Sequence, residues 1–101
     1  MLPTLTSFNR VAIFQTDQAS RYLRMLCVHF GRRVDCDCSD TAGCVTFPFG
    51  ICNMTASDDQ LELVARANTT DDLSHLTDIL TRHLERYAFR ENPHLDWRDP
   101  P

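Results

Sequence analysis

Lysine is missing from this chain. All ten basic residues are arginine, so every side-chain cation of full charge is a planar guanidinium able to grip a carboxylate or phosphate with two parallel hydrogen bonds. Glycine is scarce, three in 101 residues, which leaves no glycine-rich loop to cradle a nucleotide phosphate. No apolar run approaches the ~20 residues that a membrane-spanning helix needs. The start, Met1-Leu2-Pro3-Thr4-Leu5, has neither the basic opening nor the apolar stretch of a secretion signal, so the expected compartment is the cytoplasm. In that setting five cysteines, an odd number, are expected as reduced thiols. No H-E-x-x-H helix or G-x-S-x-G elbow occurs, and Cys27 and His29, two apart on one helix, project about 200° apart and make no dyad. The reading leans away from an enzyme. A net charge of −4 and a pI near 5.4 argue against broad attraction to nucleic acid or to an anionic membrane.

What remains is ordinary globular composition, 43% hydrophobic and 24% charged, in a length suited to one domain over 1–101 with an ordered core at about 8–97. A domain of this size hides roughly 60 to 70% of its unfolded surface, enough for one core without staples. Residues 10–16 are β-rich. Thr16-Asp17 then offers an N-cap with an acid in the first turn, and Tyr22, Leu23, Leu26, Cys27 and Phe30 repeat at helical spacing up to a stop at Gly31. Arg32 and Arg33 suit the negative end of that helix dipole.

From Val34 to about Asn68 the period becomes two, broken by turn residues at 39–43, 49–50 and 57–59, which predicts four antiparallel strands. Alternation places Val34, Cys36, Cys38, Val45, Phe47, Leu61, Leu63 and Ala65 inside, with Cys52, Met54 and Ala56. Asp35, Asp37, Thr46, Glu62 and Arg66 fall outside. A last helix opens on the capping spacing Thr69…Asp72 and runs through Leu73, Leu76, Ile79, Leu80, Leu84 and Tyr87 to a break at Asn92-Pro93. The order β-α-β-β-β-β-α predicts a two-layer α+β fold, an antiparallel sheet with both helices on one face, like a TATA-binding-protein half-domain. A ferredoxin-like split would need a helix within 34–68, where the pattern offers none.

Four kinds of residue invite chemistry. The spacing of Cys36, Cys38, Cys44 and Cys52 is not that of a zinc knuckle or ribbon, and alternation sends Cys44 to the opposite face, so core filling is the expected role. His29, ending the first helix, and His83, within the last, lie on elements that pack on the same sheet face. They are candidate hydrogen-bonding residues or, with Glu91, candidate ligands for iron or haem. Arg82, Arg86 and Arg90 recur every fourth residue. Asp78 answers Arg82, whereas Arg86 and Arg90 lack an acid at favourable helical spacing. Their partners are either the helix-end carbonyls, Glu91, Asp96 and Asp99, or an external anion. Trp97 is expected to fold back as an apolar lid on the helix end, within reach of a ligand there.

The run Arg21-Tyr22-Leu23, the pair His29-Phe30 and above all His83-Leu84-Glu85-Arg86-Tyr87-Ala88-Phe89-Arg90-Glu91 with Trp97 resemble the bacterial domain-of-unknown-function family 2218 over nearly the whole chain. Tyr87 stands where that family has phenylalanine, and no catalytic residues carry over. Some relatives are joined to, or encoded near, siderophore-interacting flavin reductases. The resemblance therefore implies a small accessory protein of siderophore or iron handling, with such a reductase as a partner. The leading expectation is a binding domain without a resident cofactor, taking a small anionic ligand or an acidic protein surface through Arg86, Arg90, His83, His29 and Trp97. A His29, His83 and Glu91 metal or haem site is the alternative. A third reading is a homodimer through Thr46, Ile51, Thr55 and Val64 on the open sheet face. Acidic Asp35, Asp37 and Glu62 on that face argue against nucleic acid.

Overall fold

Alternation of apolar and polar residues produces five antiparallel strands in the computed structural model, which describes residues 7–91 and 93–100. They are β1 (Phe8–Gln15), β2 (Asp35–Cys38), β3 (Ala42–Phe47), β4 (Gly50–Ala56) and β5 (Gln60–Ala67), lying side by side in the order β1-β5-β4-β3-β2. Helix α1 (Ala19–Phe30) follows β1, and helix α2 (Thr70–Tyr87) follows β5 and leads into a 3₁₀ turn, Phe89–Glu91. The chain is thus β-α-β-β-β-β-α, an α+β fold, and residues 34–68 contain strands and turns without a helix.

Register sets the buried face. Leu61 stands opposite Phe14 and Ala56, Leu63 opposite Ala12 and Met54, and Ala65 opposite Cys52. A one-residue slip would turn this whole set to solvent. Against it α1 lays Tyr22, Leu23, Leu26, Cys27 and Phe30, and α2 lays Leu73, Leu76, Leu80 and Leu84, all in one contiguous core. Each fully buried leucine contributes about 1.5–3 kcal/mol, so the leucine rows of α1, α2 and β5 dominate the hydrophobic term. Among the described residues, no helix is long and apolar enough to cross a membrane.

Several expectations need correction. β1 starts at Phe8 instead of Arg10. The Thr16-Asp17 cap is not used: Thr16 Oγ1 accepts the Gln18 N–H at 3.0 Å in a local turn. The helix begins at Ala19 with no side-chain cap and no acid in its first turn. Gly31 closes α1 with φ −63°, in the right-handed region, so its value is spatial: a Cβ there would stand 2.8 Å from the Cys27 carbonyl oxygen. Cys38 and, less so, Val34 and Cys36 are not core residues. They sit on the edge strand and its approach, where α1 covers the sheet only in part.

The largest correction lies at the end of α2. Thr69 caps its start as the spacing predicted, accepting the Asp72 N–H at 3.1 Å. The helix then stops at Tyr87, because Ala88 takes φ −106°, ψ 24°. Glu91 turns back to accept a hydrogen bond from the Tyr22 hydroxyl on α1. Arg90 therefore sits in the 3₁₀ turn, off the helix, and the stripe of three arginines ends at Arg86. Of the expected Asn92-Pro93 break, Asn92 lies outside the described residues.

Beyond the turn, the tail runs along β1. Val11 and Arg98 exchange backbone hydrogen bonds of 2.8 and 2.9 Å, Arg10 pairs with Asp99 at 2.7 Å, and the Trp97 Nε1–H donates to Thr81 Oγ1 at 2.8 Å. The free edge of β1 is partly closed by this segment, which removes a template for strand-to-strand association.

Candidate imidazole and arginine site

The last turn of α1 faces the third and fourth turns of α2, and this juxtaposition brings His29 against His83, with ring centroids 4.5 Å apart. His83 is oriented by its own helix: Nδ1–H donates to the Ile79 carbonyl at 2.7 Å, which fixes the tautomer and leaves Nε2 for another partner. Tyr87, one turn on, stands edge-on to His29 at 6.1 Å. Below the pair, Phe30 contacts His83 at 4.8 Å and Phe47 at 5.1 Å, and Phe47 stacks on Phe49 at 5.3 Å. An aromatic row thus leads from the β3–β4 turn to the two imidazoles.

Two concavities flank His29. One, of about 450 Å³, is lined by Arg33, Phe47, Phe49, Ile79 and His83 with their neighbours. The other, of about 370 Å³ and more open, is bounded by Arg24, Met25, Val28, Arg32 and Tyr87. His29 has its proton affinity lowered, first by burial and then by His83, Arg32, Arg33 and Arg86, so the charges acting on it are basic. Cations gathered in this way repel one another, and an anion placed among them would relieve that repulsion.

The acids expected to answer the arginines are engaged elsewhere. Glu91 meets Tyr22, Asp96 pairs with Arg98 at 2.7 Å, and Asp99 pairs with Arg10. Arg82 has Asp78 at 2.9 Å, as its spacing predicted. Among the described residues Arg86, Arg90, Arg32 and Arg33 enter no ion pair, and Arg90 lies over the Phe89 ring at 5.7 Å.

The five expected site residues therefore separate. His29 and His83 meet, and Arg86, one turn on from His83, acts on His29 through its charge while lining neither concavity. Trp97 lines neither concavity, being committed to Thr81 and the core. Glu91 is bound to Tyr22 and, among the described residues, forms no three-donor group with the two histidines. Arg32 and Arg33 enter instead. Read in sequence they were dipole partners of α1, and only the packing of α2 beside them turns them towards a site.

The arrangement defines a small two-layer α+β domain that presents an imidazole pair flanked by Arg32 and Arg33. The sequence pattern of a family described as an uncharacterized protein conserved in bacteria, DUF2218, matches residues 11–98, and the chain belongs to that family. Its fold is similar to the NMR structure of PA4090 from Pseudomonas aeruginosa, with 25% sequence identity, 90% of this chain and 95% of that chain covered, and a TM-score of 0.78. No curated protein matches.

Proposed function

We propose that this chain is a non-enzymatic accessory domain that binds a small anionic ligand at the His29–His83 pair. Arg33 and Arg86 neutralise the ligand's charge, and the aromatic row from Phe30 to Phe49 receives its apolar or planar part. One observation carries the reading: His29 and His83 meet with ring centroids 4.5 Å apart beside Arg33 in one concavity, while the acids expected to answer the arginines are paired with other residues. Guanidiniums bind carboxylate and catecholate oxygens through paired, charge-assisted hydrogen bonds, and the free Nε2 of His83 adds a further contact. In this reading the ligand belongs to siderophore or iron handling, where chelators present such oxygens. A ferric chelate would meet the arginines through its ligand's oxygens, with no direct bond from iron to the protein needed.

Calorimetric titration with 2,3-dihydroxybenzoate, an aromatic anion, and with citrate, an aliphatic one, tests the reading. The Arg33→Gln, Arg86→Gln double variant should bind at least tenfold more weakly, about 1.4 kcal/mol, with an unchanged Tm. The His29 and His83 ring resonances of the parent chain should shift on saturation. A double variant that unfolds at lower temperature, together with a parent chain that binds neither anion, would show that these arginines serve the fold alone.

A further inference from the structure

A second cluster lies at the other end of β2, and alternation along the strands did not reveal it. Cys27 on α1 and Cys36 and Cys38 on β2 bring their sulfurs within 4.8 Å of one another. The two elements are contiguous in sequence through the turn at Gly31, so the helix drops its buried thiol onto the face of the strand that follows. Gly43 makes room for this, while Gly31 lies in ordinary contact with the cluster. A Cβ at Gly31 would stand 3.5 Å from Cys36 Cβ, and one at Gly43, opposite Cys38 in the register, would stand 3.0 Å from Cys27 Sγ and 3.1 Å from Met54 Cε. Sulfur thus gathers where the backbone carries no side chain. The three residues grade from buried Cys27 through half-buried Cys36 to exposed Cys38, so the cluster reaches solvent at Cys38.

We propose that Cys27, Cys36 and Cys38 form a three-thiolate site for a soft monovalent cation, Cu(I). Metal–sulfur bonds of about 2.3 Å in a trigonal plane set sulfurs about 4.0 Å apart, so side-chain adjustments of under about 1 Å would close the site. Structural zinc takes four protein ligands. Among the described residues no further cysteine, histidine or acid joins these three, and the neighbouring side chain, Met54, is a soft thioether, which favours Cu(I). Burial holds Cys27 as a thiol well above the usual range and raises Cys36 as well, so binding displaces protons. Three S–H bonds are lost, three Cu–S bonds form, three protons pass to solvent, and no electron moves. Cys38, at the exposed end, keeps the resulting anionic complex in contact with water.

The test is an anaerobic titration of the full, reduced chain with Cu(I) against the competing chelator bathocuproine disulfonate. Ultraviolet thiolate-to-copper absorption reports binding, and native mass spectrometry gives the stoichiometry. One Cu(I) per chain is expected, with affinity rising with pH. Cys36→Ser, Cys38→Ser should weaken binding at least a hundredfold, whereas Cys44→Ser, on the opposite sheet face, should leave it unchanged. Cys38→Ala, at an exposed position, supplies the same reading should the double variant fold poorly. Equal binding by the parent chain and the Cys36 and Cys38 variants, an equal loss in Cys44→Ser, or stoichiometric Zn(II) binding without Cu(I) binding would each overturn the proposal.

Discussion

His29 shows how one side chain takes its properties from two helices. Burial and its basic neighbours lower its proton affinity in the folded chain below the ordinary value of 6.5. The unfolded chain then takes up the proton first as pH falls, so the stability tied to His29 is complete above about pH 6.5 and is lost as pH drops towards the folded value. An anion at the site reverses the sign, because it favours the protonated ring and its affinity should rise through that same window. Thermal melts of parent and His29→Gln between pH 8 and 5 should diverge on the acid side, the parent losing more. Melts that run parallel would remove His29 from the account. Tyr22 is a second case: its hydroxyl meets Glu91, and that hydrogen bond, with burial, raises its proton affinity, holding the phenol neutral at ordinary pH.

At the scale of elements, α2 reads most faithfully from sequence at its start and least at its end. Its start depends on a local device, Thr69 capping the Asp72 N–H, which three residues of sequence suffice to specify. Thr69→Ala should cost about 1 kcal/mol, measured by urea unfolding, with the ligand affinity unchanged because the cap lies four turns from His83. Its end depends on a distant partner. The sequence offers no breaker before Asn92-Pro93, yet the chain leaves the helix at Ala88 and Glu91 reaches Tyr22, sixty-nine positions away in sequence. The same reasoning covers β2. Period two aimed Cys36 and Cys38 towards the helices, but burial depends on what lies above a strand, and at the sheet's edge little does.

For the molecule as a whole, β5 is the keystone, since it pairs with both β1 and β4 and packs beneath α2. Leu63, fully buried at its middle, faces Ala12 and Met54 in the register. Leu63→Ala should destabilise by about 2–5 kcal/mol, read from chemical denaturation, the larger end applying if the sheet cannot collapse onto the cavity. The opposite sheet face carries Val11 opposite Val64, with Ile13 and Ile51, among polar and charged residues. Charge is likewise unevenly shared: a chain of net −4 concentrates arginines 32, 33 and 86 around one imidazole pair.

The sequence by itself determined the element order, the turns between strands, the inward faces of β3, β4 and β5, and the cap of α2. These follow from periodicity and from contacts spanning a few residues. Tertiary structure decided which residues meet. It set His29 beside His83, recruited Arg32 and Arg33, released Arg90, Trp97 and Glu91 to other duties, and drew three cysteines from two elements together. Each of these depends on how a helix end docks against a second element, and such docking is fixed by the packing of the whole core, which no local pattern encodes.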